Sequence, residues 1–205
     1  MSKIIHNARL ENGKLVDLCI NDGRVESINE LEKFSSVSDD GIDLCGWLVL
    51  PSMAEPHAHL DKALTAESVP NPTGDLSGAI EAWISATKRG EITYEDTVER
   101  AAEAMRLLAS KGVTAVRTHV NVVSGSKALE AVHEAKKLVH GLIDVQIVAL
   151  TINPMTGEEG RDNRIALEKA IEIGVDLVGG CPHLDPDPST LIKDALDIAE
   201  EADLG

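Results

Sequence analysis

The stretch Glu55-Pro56-His57-Ala58-His59-Leu60-Asp61-Lys62 follows an apolar run that begins at Trp47. Residues 47–53 predict a buried strand, because apolar side chains follow one another and only Pro51 interrupts them. In extended backbone, residues two apart point to the same side, so His57 and His59 can offer two imidazole nitrogens to one divalent metal. An H-x-H pair alone is a weak signal, and its meaning depends on where its strand lies in the fold.

Downstream of this stretch, predicted strands and helices alternate. Four strand–helix units follow Trp47, and Gly112 and Gly174 stand where a helix must turn into a strand. Repeated units of this kind predict a parallel sheet with helices outside, and four of them make about half of a (β/α)8 barrel. The predicted elements are strands over 47–53, 113–116, 143–150 and 175–178, and helices over 76–89, 94–111, 126–139, 161–173 and 189–202, the last capped by Ser189.

Residues 1–50 predict a small β-layer in front of the partial barrel. Asn12-Gly13 and Asp22-Gly23 separate short runs rich in aliphatic residues, and such pairs are typical of tight hairpin turns. A polar loop and a further strand over 42–50 complete this layer. We therefore expect an N-terminal β-sandwich part over 1–50 and a partial barrel over 51–205.

Polar side chains follow the other predicted barrel strands. His119 comes at the end of the second strand, Asn153 after the third and His183 after the fourth. Because barrel active sites lie at the carboxyl ends of the strands, these residues are candidates for binding substrate. His119 and His183 also fit the interpretation of histidines satisfied within the core.

Glu55 and Asp61 flank the histidine pair, and two interpretations of them stay open. They can orient the imidazoles of His57 and His59 by hydrogen bonds, or they can cap the turn that follows the strand.

The composition excludes several classes of protein. The formal net charge of −16 opposes binding to phosphate backbones and anionic membrane surfaces, and two Trp, one Tyr and one Phe leave few platforms for stacking bases. No apolar run reaches the length of a membrane span, and the N-terminus has no signal-peptide pattern. The three cysteines, Cys19, Cys45 and Cys181, lie far apart in the sequence and do not suggest a disulfide framework. This pattern predicts a protein of the reducing cytoplasm.

Three segments in this order resemble the cytosine deaminase branch of the amidohydrolase superfamily. They are Glu55-Pro56-His57-Ala58-His59-Leu60-Asp61-Lys62, Arg117-Thr118-His119-Val120 and Asp176-Leu177-Val178-Gly179-Gly180-Cys181-Pro182-His183. The resemblance implies a (β/α)8 barrel with one catalytic iron or zinc ion, for which His57 and His59 are ligands. In that family a third His, a metal-binding Asp and the acid/base Glu come from strand five onward, so we expect them beyond Gly205. Where the family has a pyrimidine-contacting glutamine just after strand three, this sequence has Thr151-Ile152-Asn153-Pro154. Asn153 offers an amide of shorter reach, which puts cytosine specificity in question.

Two hypotheses follow. The first is a metal-dependent hydrolase that acts on C–N bonds of cyclic amidines such as cytosine, with little or no turnover expected from the 205-residue chain alone. The second is an inactive half-barrel that pairs with itself or with a complementary half, because an open sheet edge invites association. A third option is ring-amide hydrolysis at a binuclear metal site, for which relatives usually need a carbamylated Lys after strand four. This option is disfavoured, because Val178-Gly179-Gly180-Cys181 offers no Lys there.

Overall fold

A computed structural model describes residues 3–123 and 127–204. The chain divides into two units, residues 1–52 and 53–205. This division is a finding of the structure, whereas the role of each unit in a larger protein stays a prediction.

The first unit is a four-stranded sheet in the order β3-β2-β1-β4. Strands β1 and β2 pair antiparallel, as do β2 and β3, while β4 lies parallel to β1. Asp22 and Gly23 join β2 to β3 with φ of 49° and 76°, the double positive φ of a tight hairpin turn. The small core contains Ala8, Val16 and Leu18. The strands are β1 Lys3–Arg9, β2 Leu15–Asn21, β3 Arg24–Leu31 and β4 Ile42–Asp43.

Two strand predictions near the junction of the units are wrong. The strand expected over 42–50 ends at Asp43, because Cys45 and Gly46 turn the chain with φ of 50° and 81°. The strand expected over 47–53 begins only at Met53, and Trp47 is 77% exposed. The apolar run therefore forms no buried strand, and the histidine pair ends a strand that starts six residues later than predicted.

The second unit contains the predicted parallel arrangement of strands and helices. Its four strands are parallel and lie in the order β5-β6-β7-β8, with helices between them along the chain. The strands are β5 Met53–Ala58, β6 Val113–Val122, β7 Asp144–Thr151 and β8 Leu177–Gly179. The helices are α1 Leu76–Lys88, α2 Tyr94–Ser110, α3 Ala128–Leu138, α4 Arg161–Ile173 and α5 Pro188–Glu201.

The start of α5 corrects one predicted cap. Asp187, not Ser189, is the N-cap, and its carboxylate accepts a hydrogen bond from Thr190 N at 3.1 Å. Pro188 fits the first helical position because that position needs no backbone donor. The predicted start of α3 at Ser126 lies outside the described residues.

One face of the parallel sheet packs against the helices. Along β6, alternate residues Val116, Thr118, Val120 and Val122 are buried there. The three valines belong to one hydrophobic cluster with apolar residues of α2 and α3, including Met105 and Val132. The intervening residues of β6 face the opposite side, where the chemistry-bearing side chains lie. Within the described residues, no helix combines the length and the apolar character needed to cross a bilayer.

Helix α4 offers a matched test of this core. Leu167 is fully buried, whereas Ile165 on the same helix is 49% exposed. We expect Leu167→Ala to lower the free energy of unfolding by about 2–5 kcal/mol, because it leaves a cavity. Ile165→Ala serves as the control, with an expected change below about 1 kcal/mol. Urea unfolding followed by circular dichroism measures both, and equal losses in the two variants would contradict this packing.

Candidate metal centre

A bulge in β5 sets the direction of the histidine pair. Glu55 lies opposite Val116 and Ala58 opposite Thr118, so three steps along β5 match two steps along β6. This extra residue lies at Pro56-His57, and proline is tolerated there because it has no N–H for the ladder. Ala58 shares the helix-facing side with Thr118, which leaves His57 and His59 on the opposite side with His119.

Three imidazoles meet on this face of the sheet. The rings of His57 and His119 stack with centroids 4.2 Å apart. The ring of His59 lies 5.3 Å from that of His57 and 5.7 Å from that of His119. The structure thus brings His119 beside the pair, and its role as a substrate-binding residue stays a prediction.

His59 is held in the tautomer that a metal ligand needs. Its Nδ1 donates a hydrogen bond to the backbone carbonyl oxygen of His119 at 2.9 Å. Because a carbonyl only accepts, Nδ1 carries the proton and Nε2 keeps a free lone pair. Metal-binding histidines typically make this kind of hydrogen bond through their second nitrogen, so His59 fits the role of a metal ligand.

The electrostatics also favour neutral imidazoles. Burial lowers the pKa of His59, and the positive charge of Lys62 lowers it further. Burial likewise lowers the pKa of His119, with a smaller contribution from His57. A neutral imidazole binds iron or zinc, whereas a protonated one does not.

The described residues supply only part of a metal site. Within 3–123 and 127–204, no group of three or more His, Cys, Asp or Glu side chains is arranged to hold a metal ion. His57 and His59 are thus candidate ligands in a set that needs further donors.

Glu55 and Asp61 hold the backbone around the pair. Glu55 Oε1 accepts a hydrogen bond from His57 N at 3.0 Å, which is a turn cap. The carboxylate of Asp61, fully buried, accepts from Lys62 Nζ at 2.6 Å and from Asn121 N at 3.4 Å. These hydrogen bonds favour the interpretation that Glu55 and Asp61 hold the chain after the strand over the interpretation that they orient the imidazoles.

Two anchors of this segment were not identified from the sequence. Thr118 Oγ1 accepts from Leu60 N at 2.9 Å and ties the segment after β5 to β6. Arg100 pairs with Asp96 on α2 and donates to Ala63 O at 2.6 Å. The spacing of Asp96 and Arg100 indicates a helix-surface ion pair, and only the structure shows that the guanidinium reaches across to another loop.

Asn153 and His183 lie at the same edge of the sheet, after β7 and β8. Asn153 Nδ2 donates to Cys181 O at 3.2 Å, which links the two loops. His183 is exposed on a 3₁₀ turn, Pro182–Leu184. The structure thus groups His57, His59 and His119, and places Asn153 and His183 further along the sheet.

Asp185 joins the loops that carry Asn153 and His183, and it was not identified as a site residue from the sequence. Its carboxylate accepts from Met155 N at 2.6 Å and Asp187 N at 3.0 Å, and also from Thr156 Oγ1. Burial raises the pKa of Asp185, but hydrogen bonds from Thr156, Met155 and Asp187 outweigh it and hold the pKa below its ordinary value.

Comparisons with known proteins agree with this fold. No family model matches the chain. It is 32% identical over 195 residues to the N-isopropylammelide isopropyl amidohydrolase of Pseudomonas sp. strain ADP, covering 91% of this chain and 46% of that relative. A crystal structure of 5-methylcytosine deaminase from Klebsiella pneumoniae, liganded with 5-fluorocytosine, matches with a TM-score of 0.86 and 35% identity, covering 98% of this chain and 49% of that chain.

A third comparison supports the fold alone. The N-isopropylammelide isopropylaminohydrolase structure from Burkholderia multivorans has a TM-score of 0.78 at 23% identity, covering all of this chain and 52% of that one. The described sheets and helices thus match about half the length of amidohydrolase barrels, in the fold class that the sequence predicted.

The fold and the histidine cluster define an amidohydrolase-type scaffold. The chain belongs to the amidohydrolase superfamily, in its cytosine deaminase-like branch. It spans about half the length of the relatives it matches. Members of this superfamily generally depend on a bound metal.

Asp185→Asn tests the link between the loops. The substitution places an amide among backbone and hydroxyl donors, so we expect it to lower the free energy of unfolding by roughly 1–3 kcal/mol at neutral pH. Because the folded pKa is depressed, the carboxylate stabilises the fold above its unfolded pKa of about 3.9. This contribution is lost as pH falls through the folded pKa, so the variant should lack that part of the acid sensitivity.

The exposed Asp144, at the start of β7, provides the control. Asp144→Asn should leave the melting temperature near that of the parent at neutral pH. A series of thermal melts from pH 7 to pH 3 compares the three proteins. Parallel pH profiles for Asp185→Asn and the parent would show that this carboxylate does not hold the loops.

Proposed function

We propose that the chain supplies the first part of a metal-dependent hydrolase that cleaves C–N bonds of cyclic amidines such as cytosine. The observation that carries the proposal is the hydrogen bond from His59 Nδ1 to His119 O, which leaves Nε2 available as a ligand. Kinship with an amidohydrolase and a deaminase supports the reaction class. We further propose an intracellular protein with a small heterocyclic substrate and without a nucleic-acid or membrane partner.

His57 and His59 would hold one divalent metal, iron or zinc. Such a metal supplies Lewis acidity and makes water a nucleophile at neutral pH. The bulge in β5 directs both imidazoles to one side, and the His119 carbonyl fixes the orientation of one of them. The ring of His119 stacks on that of His57, with centroids 4.2 Å apart, and so contacts one face of that imidazole.

Asn153 is suited to orienting a heterocycle. Its Nδ2 is engaged by Cys181 O, and its buried Oδ1 has no partner among the described residues. In this arrangement the side chain presents an acceptor, which suits a ring N–H or an exocyclic amino group of the substrate. We propose His119 and His183 as further residues that line the substrate's entry.

Metal binding tests the roles of His57 and His59. We expect the purified chain to bind Zn²⁺ or Fe²⁺, and His57→Ala or His59→Ala to weaken binding by more than the roughly 10–100-fold typical of residues that only orient a ligand. His140→Ala is the matched control, because His140 is exposed and lies between α3 and β7. Calorimetric titration measures all four proteins, and equal affinities would contradict the assignment.

Turnover is a separate question. We assign the acid and base roles to no residue of the described chain, so we expect little or no release of ammonia from cytosine or related amidines by the 205-residue chain with added metal. A coupled ammonia assay measures this rate. A turnover number of about 1–10³ per second, ordinary for enzymes, would show that the chain contains the proton-transfer groups.

A second candidate function is assembly. Strand β5 lies at one edge of the parallel sheet, and Met53 and His57 on it are exposed. An exposed edge of a parallel sheet can pair with another chain, so a homo-oligomer or a complementary half is the alternative. Light scattering gives the molar mass in solution, and a monomer at all concentrations would rule out self-assembly.

A further inference from the structure

A cluster of polar side chains around His6 lies in the first unit, in residues that the proposed hydrolase function does not use. A bulge in β1 places His6 there, because Ile5 pairs with Leu18 and Ala8 with Val16, three steps against two. Asn7 takes a φ of 54° at this bulge. The imidazole of His6 is thereby buried, with 5% of the residue exposed.

The imidazole of His6 lies between a carboxylate and a hydroxyl. Its Nδ1 lies 3.0 Å from Asp17 Oδ2, and its Nε2 lies 3.0 Å from Ser38 Oγ. Both distances are within hydrogen-bond range, so the order is carboxylate, imidazole, hydroxyl. This is the arrangement by which an imidazole activates a serine as a nucleophile.

The surroundings fix the tautomer that such chemistry needs. Ser38 N donates to His6 Nε2 at 3.2 Å, so Nε2 is an acceptor and Nδ1 carries the proton toward Asp17. Asp17 Oδ1 accepts from Asn7 N at 2.9 Å, and Oδ2 accepts from Ser35 Oγ at 2.9 Å. Burial raises the pKa of Asp17, but these hydrogen bonds and the one from His6 lower it below the ordinary value, so the carboxylate stays ionised.

Packing also holds the imidazole in place. A Cβ built on Gly41 would lie 2.5 Å from His6 Cδ2, so only glycine allows the backbone to approach the ring this closely. Ser38 is partly exposed and lies on the loop before β4. A buried imidazole beside a partly exposed serine distinguishes this cluster from a wholly internal network.

We propose that Ser38 is an activated nucleophile toward aryl and other activated esters, with His6 as its general base and Asp17 as a positioning residue. The Ser38 hydroxyl proton passes to His6 Nε2 as the Oγ–C bond forms at the ester carbonyl. The bond from that carbon to the aryl oxygen then breaks, and His6 returns the proton to the departing phenol. Water hydrolyses the acyl-serine to the carboxylic acid and restores Ser38.

The class of substrate follows from the chemistry of the leaving group. Amides need strong stabilisation of the oxyanion, whereas a phenolate leaves with less assistance. Asp39 and Asp40 are exposed beside Ser38, so they favour neutral or cationic esters over anionic ones.

Covalent labelling of the full chain tests this proposal directly. Diisopropyl fluorophosphate should phosphorylate Ser38, with formation of the Oγ–P bond and loss of fluoride and the hydroxyl proton. Mass spectrometry of the peptides locates the label. Ser38→Ala should abolish it, whereas Ser36→Ala, an exposed serine on the same loop, should leave it unchanged.

Asp17→Asn tests the positioning role. It should slow labelling of Ser38 and release of 4-nitrophenol from 4-nitrophenyl acetate by at least about 100-fold, the low end for a general base. Circular dichroism and thermal melting show whether the variants are folded. The comparison of labelling in Ser38→Ala and Ser36→Ala decides the proposal independently of Asp17→Asn. Absence of label at Ser38, or equal label at Ser36 and Ser38, overturns it. The metal-binding results do not bear on this outcome.

Discussion

The parallel pairing of β5 with β6 is the constraint on which the histidine cluster depends. Residues on a strand alternate between the two faces, so a shift by one residue would turn His57 and His59 into the helix layer. The bulge at Pro56-His57 prevents this by adding one residue to β5. The hydrogen bond between Thr118 Oγ1 and Leu60 N then holds the register just beyond the pair.

The rest of the second unit supports that pairing from the opposite face. Buried valines of β6 and β7 pack on α2, α3 and α4, and this layer is rigid because its side chains are closely packed. The polar anchors lie at the carboxyl ends of the strands. Arg100 holds the loop after β5, and Asp185 holds the loops after β7 and β8. The apolar core thus lies on the helix-facing side of the sheet, and the polar anchors lie at the carboxyl ends of its strands.

Much of this fold could be predicted from the sequence, because hydrophobic periodicity and glycine at helix ends are local signals. The helix over 161–173 and the order of strands and helices are examples. The strand before the histidines was misplaced, because a run of apolar residues does not show whether a turn at Cys45-Gly46 precedes it. The cap of α5 was misplaced for a related reason, since Asp187 and Ser189 both suit an N-cap and only Pro188 separates them.

The candidate site residues could be chosen from the sequence because they lie near strand ends. His57, His59, Asn153 and His183 each end or follow a strand, and His119 lies within β6, three residues before its end. Long-range contacts left no local signal. Asp185 bonds to residues thirty positions earlier, and the cluster of His6, Asp17 and Ser38 brings together residues from β1, β2 and a loop. Such contacts depend on the bulge in β1 and on the pairing of strands, which periodicity does not specify.

The central claim is that His57 and His59 bind one metal through nitrogen atoms directed to one side of the sheet. Anomalous diffraction at the zinc edge, from crystals of the chain grown with zinc, locates the ion without reference to activity. The account predicts one peak at about 2.0–2.1 Å from an imidazole nitrogen of each histidine, with Nε2 of His59 as the ligand. A well-ordered zinc bound elsewhere, with both imidazoles free, would contradict it.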